Sequence, residues 1–145
     1  MQLTKHTDYA FRVLIYLASM PDDRLATVQE IAERYAISRS HVMKIVQKLA
    51  ASGLVHAIRG QQGGLRLGQP SAAINLRDVV ELMEATLAPV NCDDPVCLIR
   101  KSCTLKNILF DAQQQFLEQV GRYTLADLVG PSTPQVHLFG RTRRS

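Results

Sequence analysis

The stretch Tyr35–Pro70, "YAISRSHVMKIVQKLAASGLVHAIRGQQGGLRLGQP", changes its hydrophobic period once, and that change decides the fold. Its first half carries Val42, Ile45, Val46 and Leu49 at helical spacing, with Ser38 as a cap and Gly53 as a stop. The second half holds two short strand-like runs, Leu54–Ile58 and Leu65–Leu67. They flank Gly60-Gln61-Gln62-Gly63-Gly64, which reads as a hairpin tip. Upstream, Thr27 and Glu30 form a T-x-x-E capping box that leads into Val28, Ile31, Ala32 and Tyr35. Two helices joined by a tight link and followed by a glycine-tipped hairpin make a winged helix-turn-helix.

Working outward, the spacing of Ala10, Val13, Leu14, Leu17 and Ala18 predicts a first helix from Asp8 to about Met20, with Thr7 as its cap and Pro21 ending it. After Pro70, Asn75 caps a helix through Leu76, Val79, Val80, Leu82 and Met83. A long helical run then places Leu105, Ile108, Leu109, Ala112, Phe116 and Val120 on one side, and Thr124 and Asp127 cap a short turn after Gly121. Such a face must be buried, either on a second copy or back on its own domain. Two-fold pairing is favoured because it also suits paired DNA half-sites. The expected fold is mainly α with a small β-hairpin wing. Residues 1–70 form the winged helix-turn-helix domain, and 71–129 the connecting helix, cysteine loop and dimerisation helix. Residues 130–145 read as a disordered tail without period.

Charge follows the same division. The chain has 145 residues and a net charge of +4. From Arg34 to Pro70 stand Arg34, Arg39, Lys44, Lys48, Arg59 and Arg66 with no acid, whereas from Ser71 onward bases and acids balance. A one-sided basic block in a folded segment points to a polyanion, here double-stranded DNA. At the start of the Ser38 helix, Ser38, Arg39, Ser40, His41 and Lys44 lie off the core face. Arg39 is the candidate for two-pronged reading of a guanine, and Lys44 for a backbone contact. Arg59, Gln61, Gln62 and Arg66 lie where the wing can touch the neighbouring minor groove or phosphates. No membrane-length apolar run and no signal-peptide pattern occur, so a reducing, cytoplasmic location is expected. No catalytic triad, phosphate loop or nucleotide fingerprint is present, and an enzyme is not expected.

Every cysteine lies in "VNCDDPVCLIRKSCTLK", Val90–Lys106, with the spacing C-x4-C-x5-C at Cys92, Cys97 and Cys103. Zinc knuckles want C-x2-C pairs, and there are none. The wider spacing favours three corners of an iron–sulfur cluster, with zinc and redox-sensing thiols as alternatives. Core burial is disfavoured by the polar neighbours Asn91, Asp93, Asp94 and Lys101. A fourth ligand is not legible from spacing, since His6, Asp8, Asp93 and Asp94 all compete.

The opening "MQLTKHTDYA", the wing "RGQQGGLRLG", the loop "VNCDDPVC" and the ending "YTLADLV" occur in the same order as in a known family. Across residues 1–130 the chain resembles the winged-helix iron–sulfur repressors that include NsrR and IscR, and most nearly their nitric-oxide-sensing branch. IscR-like relatives carry a histidine ligand three residues after the last cysteine, and here that position is Lys106. The resemblance therefore implies Asp8, from the partner subunit, as the fourth ligand beside Cys92, Cys97 and Cys103. It implies a cluster, 4Fe–4S favoured and 2Fe–2S the alternative. It further implies a homodimer that binds an inverted-repeat operator and releases it when nitric oxide nitrosylates the cluster iron. The rival is a winged-helix DNA-binding regulator that uses zinc or redox-active thiols instead of a cluster.

Overall fold

The computed structural model describes residues 1–130. Helix α1 spans Lys5–Ala18, α2 Val28–Tyr35 and α3 Arg39–Ala51. Strands β1 (Val55–Ile58) and β2 (Gly64–Leu67) form an antiparallel hairpin that pairs His56 with Arg66. A short 3₁₀ turn, Ser71–Ala73, leads to α4 (Leu76–Met83), then α5 (Thr104–Val120) and α6 (Leu125–Leu128). The architecture is the expected mainly helical one, with a two-stranded wing and a long C-terminal helix.

The caps explain several boundaries. Thr27 accepts from the Glu30 N–H while the Glu30 carboxylate accepts from the Thr27 N–H at 2.7 Å, which satisfies two otherwise orphaned donors of α2. Ser38 accepts from the His41 N–H and opens α3. Between these helices Ala36 takes a left-handed conformation (φ 53°), the tight turn of the motif. In the wing, Gly63 donates to the Gly60 carbonyl at 3.0 Å. A Cβ on Gly63 would stand 2.0 Å from the Ile58 carbonyl oxygen, so the tip demands glycine there.

One boundary differs from the reading above. Helix α1 begins at Lys5 rather than Asp8, and Thr7 is not its cap but a fully buried residue inside the first turn. The cause is a tertiary contact. Glu84, at the end of α4, accepts from the Thr4 N–H at 2.8 Å, the Thr4 hydroxyl at 3.2 Å and the Thr7 hydroxyl at 2.7 Å. The Glu84 carboxylate thus takes the Thr4 N–H and both threonine hydroxyls, and Thr7 is drawn into the packed turn instead of capping it.

The core runs through Val13, Leu14, Ile31, Val42, Ile45 and Leu49, and continues into Ile74, Val79 and Leu125. Each of these large side chains contributes about 1.5–3 kcal/mol by burial. The chain after the wing closes back on α1. Leu125 donates its N–H to Ile74 O at 2.8 Å, Leu76 donates to Tyr123 O at 3.1 Å, and Asn75 Nδ2 donates to Gly121 O at 2.7 Å. Helix α5 behaves differently. Of its side chains only Leu117 is buried, while Leu105 and Ile108 are 62% and 57% exposed. Of the expected tail, residues 130–145, all but Gly130 lies outside the described residues.

Candidate DNA interface and cysteine site

Helix α3 buries Val42, Ile45, Val46 and Leu49 and turns its other side outward. Ser38, Arg39, Ser40 and Lys44 are exposed and His41 is half-buried, so the N-terminal end of α3 is an open, basic, hydroxyl-bearing surface. Ser38 Oγ is engaged in capping and lies 3.5 Å from Ser40 Oγ, while Arg39 and Lys44 extend outward from the exposed side of the helix. Arg59, Gln61, Gln62 and Arg66 are exposed on the wing. The base of that wing is fixed by a third strand-like contact, Ala26 pairing with Leu65 through N–H to O distances of 2.9 and 2.7 Å. Ala26 carries no strand pattern of its own, so only its flanking capping box hints at it.

His41 is also tied to α1. His6 Nδ1 and His41 Nε2 lie 3.3 Å apart, and the Tyr9 ring meets the His41 ring edge-on with centroids 4.9 Å apart. Burial, then the positive field of His6, Lys44 and Lys5, hold the His41 imidazole below its ordinary pKa. Nothing in the period of α1 signals this contact.

The cysteines sit in the loop between α4 and α5. Asn91 Oδ1 accepts from the Asp93 and Asp94 N–H groups, Cys97 N–H donates to Cys92 O at 2.9 Å, and Arg100 pairs with Asp93 at 2.9 Å. These bonds set Cys92 and Cys97 across a narrow turn. Cys103 occupies the N-cap of α5, where its Sγ accepts from the Lys106 N–H at 3.4 Å. All three thiols are free and half-buried. A cavity of about 430 Å³ adjoins Cys92, between Pro89 and Val90 on one side and Lys106 and Phe110 on the other.

Asp8 is exposed on α1, with its carboxylate in a two-pronged pair with Arg12, Nε to Oδ1 and Nη2 to Oδ2 both 3.0 Å. Hydrogen bonding to Asp8, against some desolvation, raises the Arg12 pKa further. The Arg12 guanidinium also lies over the rings of Tyr9 and Tyr35, at 5.6 and 5.9 Å. Among the described residues, no three His, Cys, Asp or Glu side chains converge to hold a metal ion within one chain. The donor chemistry nevertheless suits a thiophilic iron centre. Three thiols line one loop, and sulfur donors are the ligands such a centre takes.

The family model Rrf2, iron-dependent transcriptional regulator, matches residues 3–131. The chain belongs to the Rrf2 family. Among solved structures it resembles CymR (YrzC), the global cysteine regulator of B. subtilis, at 25% identity and a TM-score of 0.73, over 89% of this chain and 96% of that one. IscR of T. potens aligns over 89% of this chain and 86% of its own at 22% identity and a TM-score of 0.72. Staphylococcus aureus CymR aligns over 87% and 96% at 21% identity, also with a TM-score of 0.72. The latter two likenesses speak for the fold. As an Rrf2 member the chain is a transcriptional regulator, and its winged helix-turn-helix is the DNA-binding element. Among the described residues no helix is long and apolar enough to cross a membrane.

Proposed function

We propose that this Rrf2 regulator is a homodimeric, nitric-oxide-responsive repressor of the NsrR kind. The observation that carries the reading is the loop itself. Cys92, Cys97 and Cys103 are half-buried and free in a polar turn that runs directly into α5, and the matching family model is described as an iron-dependent transcriptional regulator. Cys92, Cys97 and Cys103 with Asp8 of the partner subunit would hold an iron–sulfur cluster, 4Fe–4S in preference to 2Fe–2S. Bound there, the group would supply an iron held by a weak oxygen ligand and therefore open to nitric oxide.

The remaining roles belong to the chain. Leu105, Ile108, Leu109, Ala112, Phe116 and Val120 of α5 form the face that pairs with a second copy. Arg39 reads a guanine, Ser40, His41 and Lys44 hold adjacent bases and phosphates, and Arg59, Gln61, Gln62 and Arg66 follow the flanking groove. Residues 1–70 thus serve DNA and 71–129 serve sensing and pairing. Glu84, where the cysteine loop leaves α4, grips Thr4 and Thr7 of α1. His6 of that same turn meets His41 of α3. A rearrangement of the loop therefore has a short mechanical path to the recognition helix.

The test is the visible spectrum, iron and sulfide content of anaerobically purified protein before and after nitric oxide, with operator affinity measured on both samples. The expected result is a broad sulfur-to-iron absorption that changes with nitric oxide as affinity falls. A colourless protein that still lacks iron and sulfide after reconstitution would replace the cluster by zinc or redox-active thiols.

A further inference from the structure

Two lysines flank the contact between α1 and α3. Lys5 stands beside His6 in the first turn of α1, and Lys44 one turn beyond His41 in α3. His6 Nδ1 and His41 Nε2 are 3.3 Å apart, and Lys5 and Lys44 both act on the His41 charge. Among the described residues neither lysine has an acidic partner, in contrast to Arg12, Arg24, Arg77 and Arg100, each of which is paired. Glu84 is a carboxylate whose field reaches His6, but its Oε1 already accepts from Thr4 and Thr7. Two exposed lysines, one from each helix, therefore flank the His6–His41 contact, and neither is paired with a carboxylate among the described residues. An unpaired ammonium group from each of two helices offers a shared positive surface to an anionic ligand. The cluster borders the end of α3 that meets base edges, and the groups beside such an end face the sugar–phosphate rail.

We infer that Lys5 extends the DNA-binding surface from α3 onto α1, gripping a backbone phosphate together with Lys44 while the His6–His41 contact holds the two helices in register. The inference rests on the DNA-binding reading of α3. A lysine suits this role because it is a point charge on a long stem that follows a phosphate without demanding one geometry. Lys5 is exposed, so its replacement leaves the core intact.

The experiment is fluorescence anisotropy of the full chain with a labelled random-sequence duplex at several salt concentrations. Lys5→Gln is expected to reduce the slope of log affinity against log salt by about 0.9 per subunit, as the loss of one neutralised phosphate requires. Lys44→Gln should do the same. Arg122→Gln, at the far end of α5, should leave the slope at the wild-type value. A Lys5→Gln slope equal to wild type, or an equal reduction in Arg122→Gln, would overturn the inference and leave α3 as the DNA contact. A flat slope in the wild type would instead overturn the DNA-binding reading on which it rests.

Discussion

Thr7 Oγ1 donates to Glu84 Oε1 over 2.7 Å, joining the first turn of α1 to the residue where α4 gives way to the cysteine loop. The Thr7 side chain is fully buried, and Glu84 also receives the Thr4 N–H and hydroxyl. Burial alone would favour the neutral carboxyl. The Thr7 and Thr4 hydrogen bonds, with the charge of His6, more than offset it, and the Glu84 pKa falls below the usual value.

Thr7→Val is expected to destabilise the protein by about 1–3 kcal/mol, because it removes a hydrogen bond to a charged acceptor. The pH dependence has a definite sign. A carboxylate with a depressed folded pKa stabilises the native state above its unfolded pKa, and loses that contribution as pH falls through its folded pKa. Glu84→Gln should therefore lower the melting temperature at neutral pH, and the gap to wild type should narrow on acidification below the ordinary glutamate range. Thermal melts of both proteins across pH would show it, and a pH-independent gap would contradict the charge-based account.

Arg39 stands exposed at the first position of α3, next to its cap. Arg39→Ala should cost about 1–3 kcal/mol of operator affinity and relax the preference at one base pair per half-site. Selection of bound sequences by wild type and variant gives the comparison. A uniform loss with unchanged base preference would make Arg39 a phosphate contact instead.

The Asp8–Arg12 pair bears on ligation. Both Asp8 oxygens are engaged by Arg12, whose guanidinium rests over Tyr9 and Tyr35, so ligation by Asp8 would give up at least part of that pairing. Asp8→Ala should reduce iron and sulfide retention by at least about tenfold while circular dichroism and dimer content stay unchanged. A variant with full cluster content and an unaltered nitric oxide response would exclude Asp8 as a ligand.

Ile108 projects from α5 at 57% exposure, one turn from Leu105 and Ala112. Placed in a subunit interface, the carboxylate of Ile108→Asp would lose hydration, a penalty of about 1–3 kcal/mol per site. Analytical ultracentrifugation should then show a dissociation constant raised roughly 5- to 150-fold per site. Unchanged self-association would move the interface off this face.

Much of the architecture was legible from local pattern. The α2 capping box, the Ser38 cap, the stripe Val42-Ile45-Val46-Leu49 and the glycine-tipped wing each depend on residues a few positions apart. Their physics is short-ranged, and a single chain read in order displays it. The exposed end of α3 follows directly, because the face that a period does not bury must point outward. The start of α1 was misplaced for the complementary reason. Thr7 carries the residue type of a cap, but a hydroxyl is equally content with a carboxylate delivered by another helix.

The contacts absent from that reading join distant positions: Thr7 with Glu84, His6 with His41, and Ala26 with Leu65. Periodicity states which face of a helix is apolar but not where along its axis another helix crosses it. Crossing points are set by how ridges interlock once all faces are buried together. The winged helix, its basic end and the grouping of the three cysteines therefore follow from residue order alone. The link from the base of the cysteine loop through α1 to α3 exists only because Glu84 and His41 both meet the first turn of α1.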